Sequence, residues 1–276
     1  MVEPLREASR DHASGGIDWL EYGPEAFRKS ETENKPILLA ISKSFSVRTL
    51  IRAESACSPV LDGRVVQMKK LDLKKQLKYL YAPSARKVEI VDVPNFNFAM
   101  IDGQIEPGRT PETSLEYQNA IGALYGASFT LKFMSKLRKK NPIDYSVMAL
   151  EGLWWIDSGG FDFNSKESWK WMMMIVQPKH ITTGMFQEAL QQVRKKRDNP
   201  ALSRVRLESF HEGLSMQIMH VGPYSEEPRT IEKMKTHALE QGCNLRGKHH
   251  EIYLGDPRRA KPEKLRTILR HPIATQ

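Results

Sequence analysis

The sequence predicts an α+β fold in which a strand, strand, helix, strand, strand unit occurs twice and the strands join into one antiparallel sheet. Three observations carry this. The 276 residues are 40% hydrophobic and 27% charged, as in a globular chain with a real core. Lys87–Gln104 and Arg206–Tyr224 each read as two strands ending near a glycine, and a helical pattern follows each. Tyr145–Asp157 and Trp171–Pro178 then find counterparts in His249–Asp256 and Leu265–Pro272.

The first helix is expected over Ser114–Leu137, with Leu115, Ala120, Ile121, Leu124, Phe129 and Phe133 at helical spacing. The second is expected over Thr230–Gln241, stopped by Gly242, and one extra helix over Thr183–Lys196 separates the halves. Two such units leave helices on one face of the sheet and a concave groove on the other. Gly222-Pro223-Tyr224 reads as a strand-ending turn, and Asp256-Pro257-Arg258-Arg259 as the close of a hairpin.

The N-terminal part differs. Ile17–Val60 reads as helix, strand, helix. Pro24 sits in the first turn of the first helix, and Ile37–Ile41 is a continuous apolar run typical of a buried strand. Domain boundaries are therefore expected at 1–71 and 72–276.

The bulk properties exclude several classes. No apolar run approaches the ~20 residues of a membrane span, and the polar start has no signal-peptide core, so a cytoplasmic protein without membrane partners is expected. Cys57 and Cys243 have no His or Cys at metal-ligand spacing. The net charge of +9 raises nucleic acid as a partner. The basic runs Arg138–Lys140 and Arg194–Arg197 instead end helical patterns, where cations complement the helix dipole, and no DNA- or RNA-binding motif accompanies them. Nucleic acid is not the expected partner.

Strand parity singles out candidate site residues. Glu251 and Tyr253 share one face of their strand, leaving Ile252 and Leu254 to meet the covering helices. Glu151, Leu153 and Trp155 share a face, opposite Gly152 and Trp154. The repeat sets Glu151 and Glu251 at similar positions, both near a pseudo-twofold groove. A carboxylate in an apolar groove has its pKa raised by desolvation and is poised for acid–base work. Candidate aromatic walls are Tyr117, Trp154, Trp155, Trp169, Trp171, Tyr224 and Tyr253, which suit a flat or cationic ligand. The competing reading is an exposed strand Glu among core tryptophans. The Met172–Met174 run reads as adaptable core. His249-His250 resembles a metal pair but lacks further ligands at diagnostic spacing, so neither metal nor cofactor is expected.

Two resemblances add to this. Ile17–Ser42 (IDWLEYGPEAFRKSETENKPILLAIS) resembles the opening of the thioredoxin-like domain of the spermatogenesis-associated protein 20 type. Where that domain carries its CxxC, this chain has Ser46 and Thr49, so the segment reads as a degenerate fragment without dithiol chemistry. His220–Met234 (HVGPYSEEPRTIEKM), His249–Arg259 (HHEIYLGDPRR), Lys264–Pro272 (KLRTILRHP) and Leu150–Trp155 (LEGLWW) resemble the GyrI-like family over about 72–273. That resemblance implies a duplicated SHS2 module with a central cleft for hydrophobic, often planar and cationic, small molecules, and it puts Glu251 in the cleft. The EGLWW and HHEIYLxDP motifs are also similar to those of hydrolases of cyclopropanoid cyclohexadienone genotoxins, which implies catalysis by Glu251 and Tyr253, with Glu151, Trp154, Trp155, Tyr117, Trp171 and Tyr224 binding ligand. The alternative is a non-catalytic ligand sensor or drug-sequestering protein; inhibition of a protein such as DNA gyrase has no interface signature in the sequence.

Overall fold

The computed structural model describes residues 60–61, 64–65, 68–159, 168–257 and 259–275, all within the unit Ser58–Gln276. The thioredoxin-like resemblance, with Ser46 and Thr49, falls on residues outside the described ones.

β1 (Val60–Leu61) and β2 (Arg64–Val65) pair with each other, and β3 (Lys69–Leu71) leads to two single-turn helices, α1 (Leu73–Gln76) and α2 (Lys78–Tyr81). The first half then runs β4 (Glu89–Val93), β5 (Phe96–Gln104), α3 (Leu115–Lys136), β6 (Ile143–Tyr145), β7 (Leu150–Trp155) and β8 (Lys170–Gln177). After α4 (Thr183–Arg194) the second half runs β9 (Arg206–Phe210), β10 (Gly213–Val221), α5 (Glu227–Glu240), β11 (Cys243–Leu245), β12 (His249–Tyr253) and β13 (Arg266–Thr275).

Local chemistry explains the helix limits. The Ser114 side chain accepts from Tyr117 N, and Ala120, Leu124, Ala127 and Leu131 form the buried stripe of α3. Thr182 caps α4 in the same way, above Phe186, Ala189, Leu190 and Val193. α5 begins three residues before the expected Thr230, because Pro228 is tolerated in a first turn, and Gly242 follows its end at a φ of 63°. The stretch expected as one strand from Tyr145 is two: β6 pairs in parallel with β3, and β7 enters the main sheet.

That sheet has the order β4-β10-β13-β12-β7-β8-β5-β9, every pair antiparallel, with β11 added on β13. The order is symmetric about the central β12–β7 pair. Each half contributes three consecutive strands to its own side and its first strand to the far edge of the other side.

Opposed residues in an antiparallel pair share a face. Met216, Ile218, Leu269 and Ile273 pack with Ile231, Met234 and Ala238 of α5. Trp154 and Trp171 meet Tyr117 of α3. Glu251 is opposite Leu269 on one side and Gly152 on the other, so it points to this same helix-covered face. The expected assignment is thus reversed: Ile252 points away from the long helices, towards the face where Leu80, Tyr81 and Arg270 lie. Parity separates the two faces of a strand but does not say which face the helices cover.

Candidate functional site

The central strands deliver His249, Glu251 and Tyr253 from β12, with Gly152 and Trp154 from β7 and Trp171 and Met173 from β8, to the helix-covered face. Helix α3 adds Tyr117, whose ring centroid lies 5.6 Å from that of Trp154 and 5.4 Å from that of Trp171. Trp169 meets Trp154 edge-on at 6.2 Å, and Tyr224 meets Tyr253 edge-on at 6.1 Å. Tyr224 and Tyr253 are half-buried and Glu251 is buried, so the tyrosine end is where the cluster approaches solvent. Gly152 lets Met173, Trp154 and Tyr253 pack close against the strand. A Cβ there meets Met173 Cε at 2.5 Å and the Tyr253 hydroxyl at 3.1 Å.

Glu251 has two hydrogen-bonding neighbours on its own strand. His249 Nε2 lies 2.9 Å from Glu251 Oε1. The Tyr253 hydroxyl accepts from Trp154 Nε1 at 2.8 Å and turns its own hydrogen toward Glu251. Burial and the Glu251 charge push the Tyr253 hydroxyl well above the ordinary tyrosine range, and the same two causes raise Tyr117 and Tyr224. These tyrosines remain neutral donors.

The first residue of α5, Glu227, is fully buried against this cluster. Its nearest polar groups are Glu251 and Thr267. Burial first, and the charge on Glu251 second, push its pKa up to about 10. The site therefore contains an acid–base pair: Glu227 retains its proton at neutral pH, beside a Glu251 that has hydrogen-bond donors. His220 fixes the approach to Glu227, with Nδ1 2.9 Å from Thr230 Oγ1 and Nε2 3.1 Å from the Pro223 carbonyl.

Comparison with known proteins adds a family to this geometry. The GyrI-like small molecule binding domain matches residues 86–274. The chain belongs to this family. A crystal structure of a hydrolase from Listeria innocua is 41% identical, with a TM-score of 0.65, over 75% of this chain and 100% of that chain. An uncharacterized conserved protein from the same organism is 40% identical, with a TM-score of 0.66, over 74% of this chain and 100% of that chain. No curated protein matches the chain. Among the described residues, no helix is long and apolar enough to cross a membrane.

Within this GyrI-like domain, Glu151 and Trp155 lie away from the other expected site residues. Glu151 is opposite Ile252, not Glu251, so it faces the reverse side of the sheet. There it accepts from the Tyr81 hydroxyl at 2.6 Å and pairs with His250 Nε2 at 3.2 Å. His250 Nδ1 contacts Glu212 at 2.9 Å, and Arg270 joins Glu212, Gln217 and the Leu80 carbonyl. Burial alone would lower the His250 pKa, but Glu212 and Glu151 outweigh it and raise it to about 9. Trp155 shares the reverse face and carries Lys248 Nζ 3.4 Å above its ring. The pseudo-equivalence of Glu151 and Glu251 fails because the register between β7 and β12 is offset by one residue, and one residue exchanges faces.

The adjacent His249 and His250 point to opposite faces and make no metal pair. Among the described residues, Glu227, His249 and Glu251 bring one ligand atom each within 4.8 Å of one another, a spacing that could hold a cation. His249 Nε2 is also within hydrogen-bonding distance of Glu251. Glu227 was missed by sequence reasoning, although a signal existed. It begins the buried stripe of Ile231, Met234 and Ala238, and a Glu on an apolar stripe is unusual. Placing the helix start at Thr230 hid it.

Proposed function

We propose that this domain binds a hydrophobic, planar or cationic small molecule against Glu251 and hydrolyses a strained electrophile of the cyclopropanoid cyclohexadienone class. The observation that carries the reading is the buried carboxyl pair of Glu227 and Glu251 beneath Tyr117, Trp154, Tyr224 and Tyr253. Glu251 takes a proton from water as the water oxygen attacks the cyclopropane carbon. The cleaved C–C bond sends its electron pair into the dienone, which becomes a phenolate. The proton on Glu227, or on one of the tyrosines, returns to that oxygen. The hydrolase from Listeria innocua supports turnover by its likeness over the whole of that chain. We further read the symmetric strand order as a duplicated SHS2-type module, place the domain at 72–276 after a degenerate N-terminal segment, and assign the protein to the cytoplasm.

The test is a thermal-shift screen of planar cationic dyes and alkylating natural products, followed by mass spectrometry. A shift with a product heavier by one water is expected for the cyclopropanoid compounds, and E251Q abolishes the product. Unchanged hydrolysis by E251Q refutes the mechanism. A shift without product identifies a sensor or sequestering protein instead.

A further inference from the structure

Basic residues that lie far apart in the sequence meet at one end of the fold. Residues 58–276 contain 34 Lys and Arg against 24 Asp and Glu, a net +10, so the positive excess of the chain lies in this unit. β3 pairs in parallel with β6, with Lys69 opposite Ile143 and Lys70 opposite Asp144, and Lys69 N donates to the Pro142 carbonyl at 3.2 Å. This pairing sets Lys69 and Lys70 beside Arg138-Lys139-Lys140, the loop that leads into β6. His180 brings Lys179 to the same end, with Nε2 2.7 Å from Ser135 Oγ and its ring edge-on to Tyr145 at 5.7 Å. Burial first, then the charges of Arg138 and Lys69, hold the His180 ring below the usual histidine range, which marks both cations as its neighbours. All six of these Lys and Arg are exposed. Asp144 is buried and held by Lys136 at 3.2 Å, so it offsets little of their charge.

From Lys70 the chain continues into α1 and α2, which add exposed Lys74, Lys75 and Lys78 against one acid, Asp72. Leu73, Leu77 and Leu80 of these turns pack on the core, whereas Tyr79, next to Lys78, is 50% exposed.

We propose that this surface, running from Arg138–Lys140 across Lys69 and Lys70 to Lys78 and Tyr79, binds single-stranded nucleic acid, with the cations on phosphates and Tyr79 stacked on a base. It does not depend on the reading of the Glu251 pocket.

Three features select this partner. A clustered field of exposed cations is the electrostatic footprint of a phosphate chain, where each contact releases counterions. An exposed aromatic among the cations suits unpaired bases, whose faces are open, and not a duplex, whose bases are already stacked. β3 has three residues and α1 and α2 have four each, so none of the elements carrying the cations is long enough to fill a duplex major groove. A lipid surface fits less well. The leucines of α1 and α2 turn inward, which leaves Phe133 and Leu137 as the exposed apolar groups beside the basic loop, and stable anchoring takes a whole apolar face or a lipid chain as well as cations. The sequence alone assigns the run at 138–140 to a helix end; the pairing of β3 with β6 is what assembles it with the others.

Fluorescence anisotropy of a labelled oligothymidylate, titrated with the full chain over a salt series, tests the proposal. Binding that weakens as salt rises is expected. K139Q/K140Q removes two phosphate contacts, so the log–log salt slope should fall by about 1.4 and affinity at about 0.1 M salt by about 25-fold. K195Q/K196Q removes the same charge from exposed positions at the end of α4 and should stay within about threefold of the unmodified chain. Y79A should lose about tenfold with the slope unchanged, since stacking releases no counterions. The substituted side chains are all exposed, and thermal unfolding checks that each variant is folded. Absence of oligothymidylate binding overturns the proposal, as do equal losses in the two lysine pairs, which would indicate net charge alone. An unchanged Y79A, or a duplex bound as tightly, overturns the single-strand assignment. Binding to phosphatidylserine vesicles without binding to the oligonucleotide overturns it in favour of a lipid surface.

Discussion

Replacing Glu227 by Gln should stabilise the protein, and increasingly so as pH rises. The folded chain holds the Glu227 proton up to about pH 10, while an unfolded Glu releases it near 4.3. Between about pH 5.5 and 9 the folded state thus binds one proton that the unfolded state lacks. The stability from this group is full below the unfolded value and is lost as pH rises through the folded one, at about 1.4 kcal/mol per pH unit. Gln is nearly isosteric with the protonated acid, and its amide can still donate toward Glu251 and accept from Thr267. E227Q should therefore gain about 2.7 kcal/mol over the unmodified protein between pH 6 and pH 8. His250 also has a raised pKa, but it lies on the other face of the sheet and contributes equally to both proteins, so it cancels in the difference. Urea unfolding followed by tryptophan fluorescence at pH 6, 7 and 8 measures the two slopes. Parallel pH dependence of the two proteins would falsify the assignment of a retained proton to Glu227. The same variant should lose turnover, a trade of activity for stability expected where a buried acid serves chemistry.

Further outcomes follow from the surrounding contacts. Glu212→Gln removes the carboxylate facing His250 and Arg270, and should cost about 3–5 kcal/mol in urea unfolding at neutral pH, because two buried cations each lose a carboxylate. Trp154→Phe keeps most of the aromatic packing but deletes the N–H donated to the Tyr253 hydroxyl. It should weaken dye binding by a factor of about ten, near 1–1.5 kcal/mol, in a fluorescence titration. Gly152→Ala places a methyl group against Met173 Cε and the Tyr253 hydroxyl. Because the methionine end can swing aside, the expected cost is about 1–3 kcal/mol by thermal unfolding, with ligand affinity reduced more than stability.

Much of the architecture was legible because periodicity reports burial. The helix expected over Ser114–Leu137 is α3 with Ser114 and Leu137 as its caps, since a capping serine and a regular apolar stripe are local signals. The site was less legible because it depends on register and on which face the helices cover. Glu151 and Glu251 occupy similar places in similar motifs, yet a single-residue offset between β7 and β12 sends them to opposite faces. His271 lies within the Lys264–Pro272 motif, but its contact with His249, 22 positions away on the neighbouring strand, is one that spacing does not encode. Glu227 was legible in principle, but only after the first turn of α5 had been placed correctly.

The alternation of a strand resolves an apparent conflict between stability and chemistry in β12. Its odd-numbered residues, His249, Glu251 and Tyr253, share the face of the carboxyl pair, where a buried Glu227 that keeps its proton opposes folding at neutral pH. Its even-numbered His250 faces the reverse side, where Glu151, Glu212 and Arg270 surround it and Tyr81 completes the cluster. A charge network of this kind gains little over apolar packing in net stability, but it fixes register strongly because any displacement leaves a buried charge unpaired. Slipping β12 by one residue would bring Glu251 beside Glu212 and remove His250 from it. The network on one face thus opposes the slip that would destroy the site on the other, which accounts for two dense ionisable clusters lying back to back on five residues.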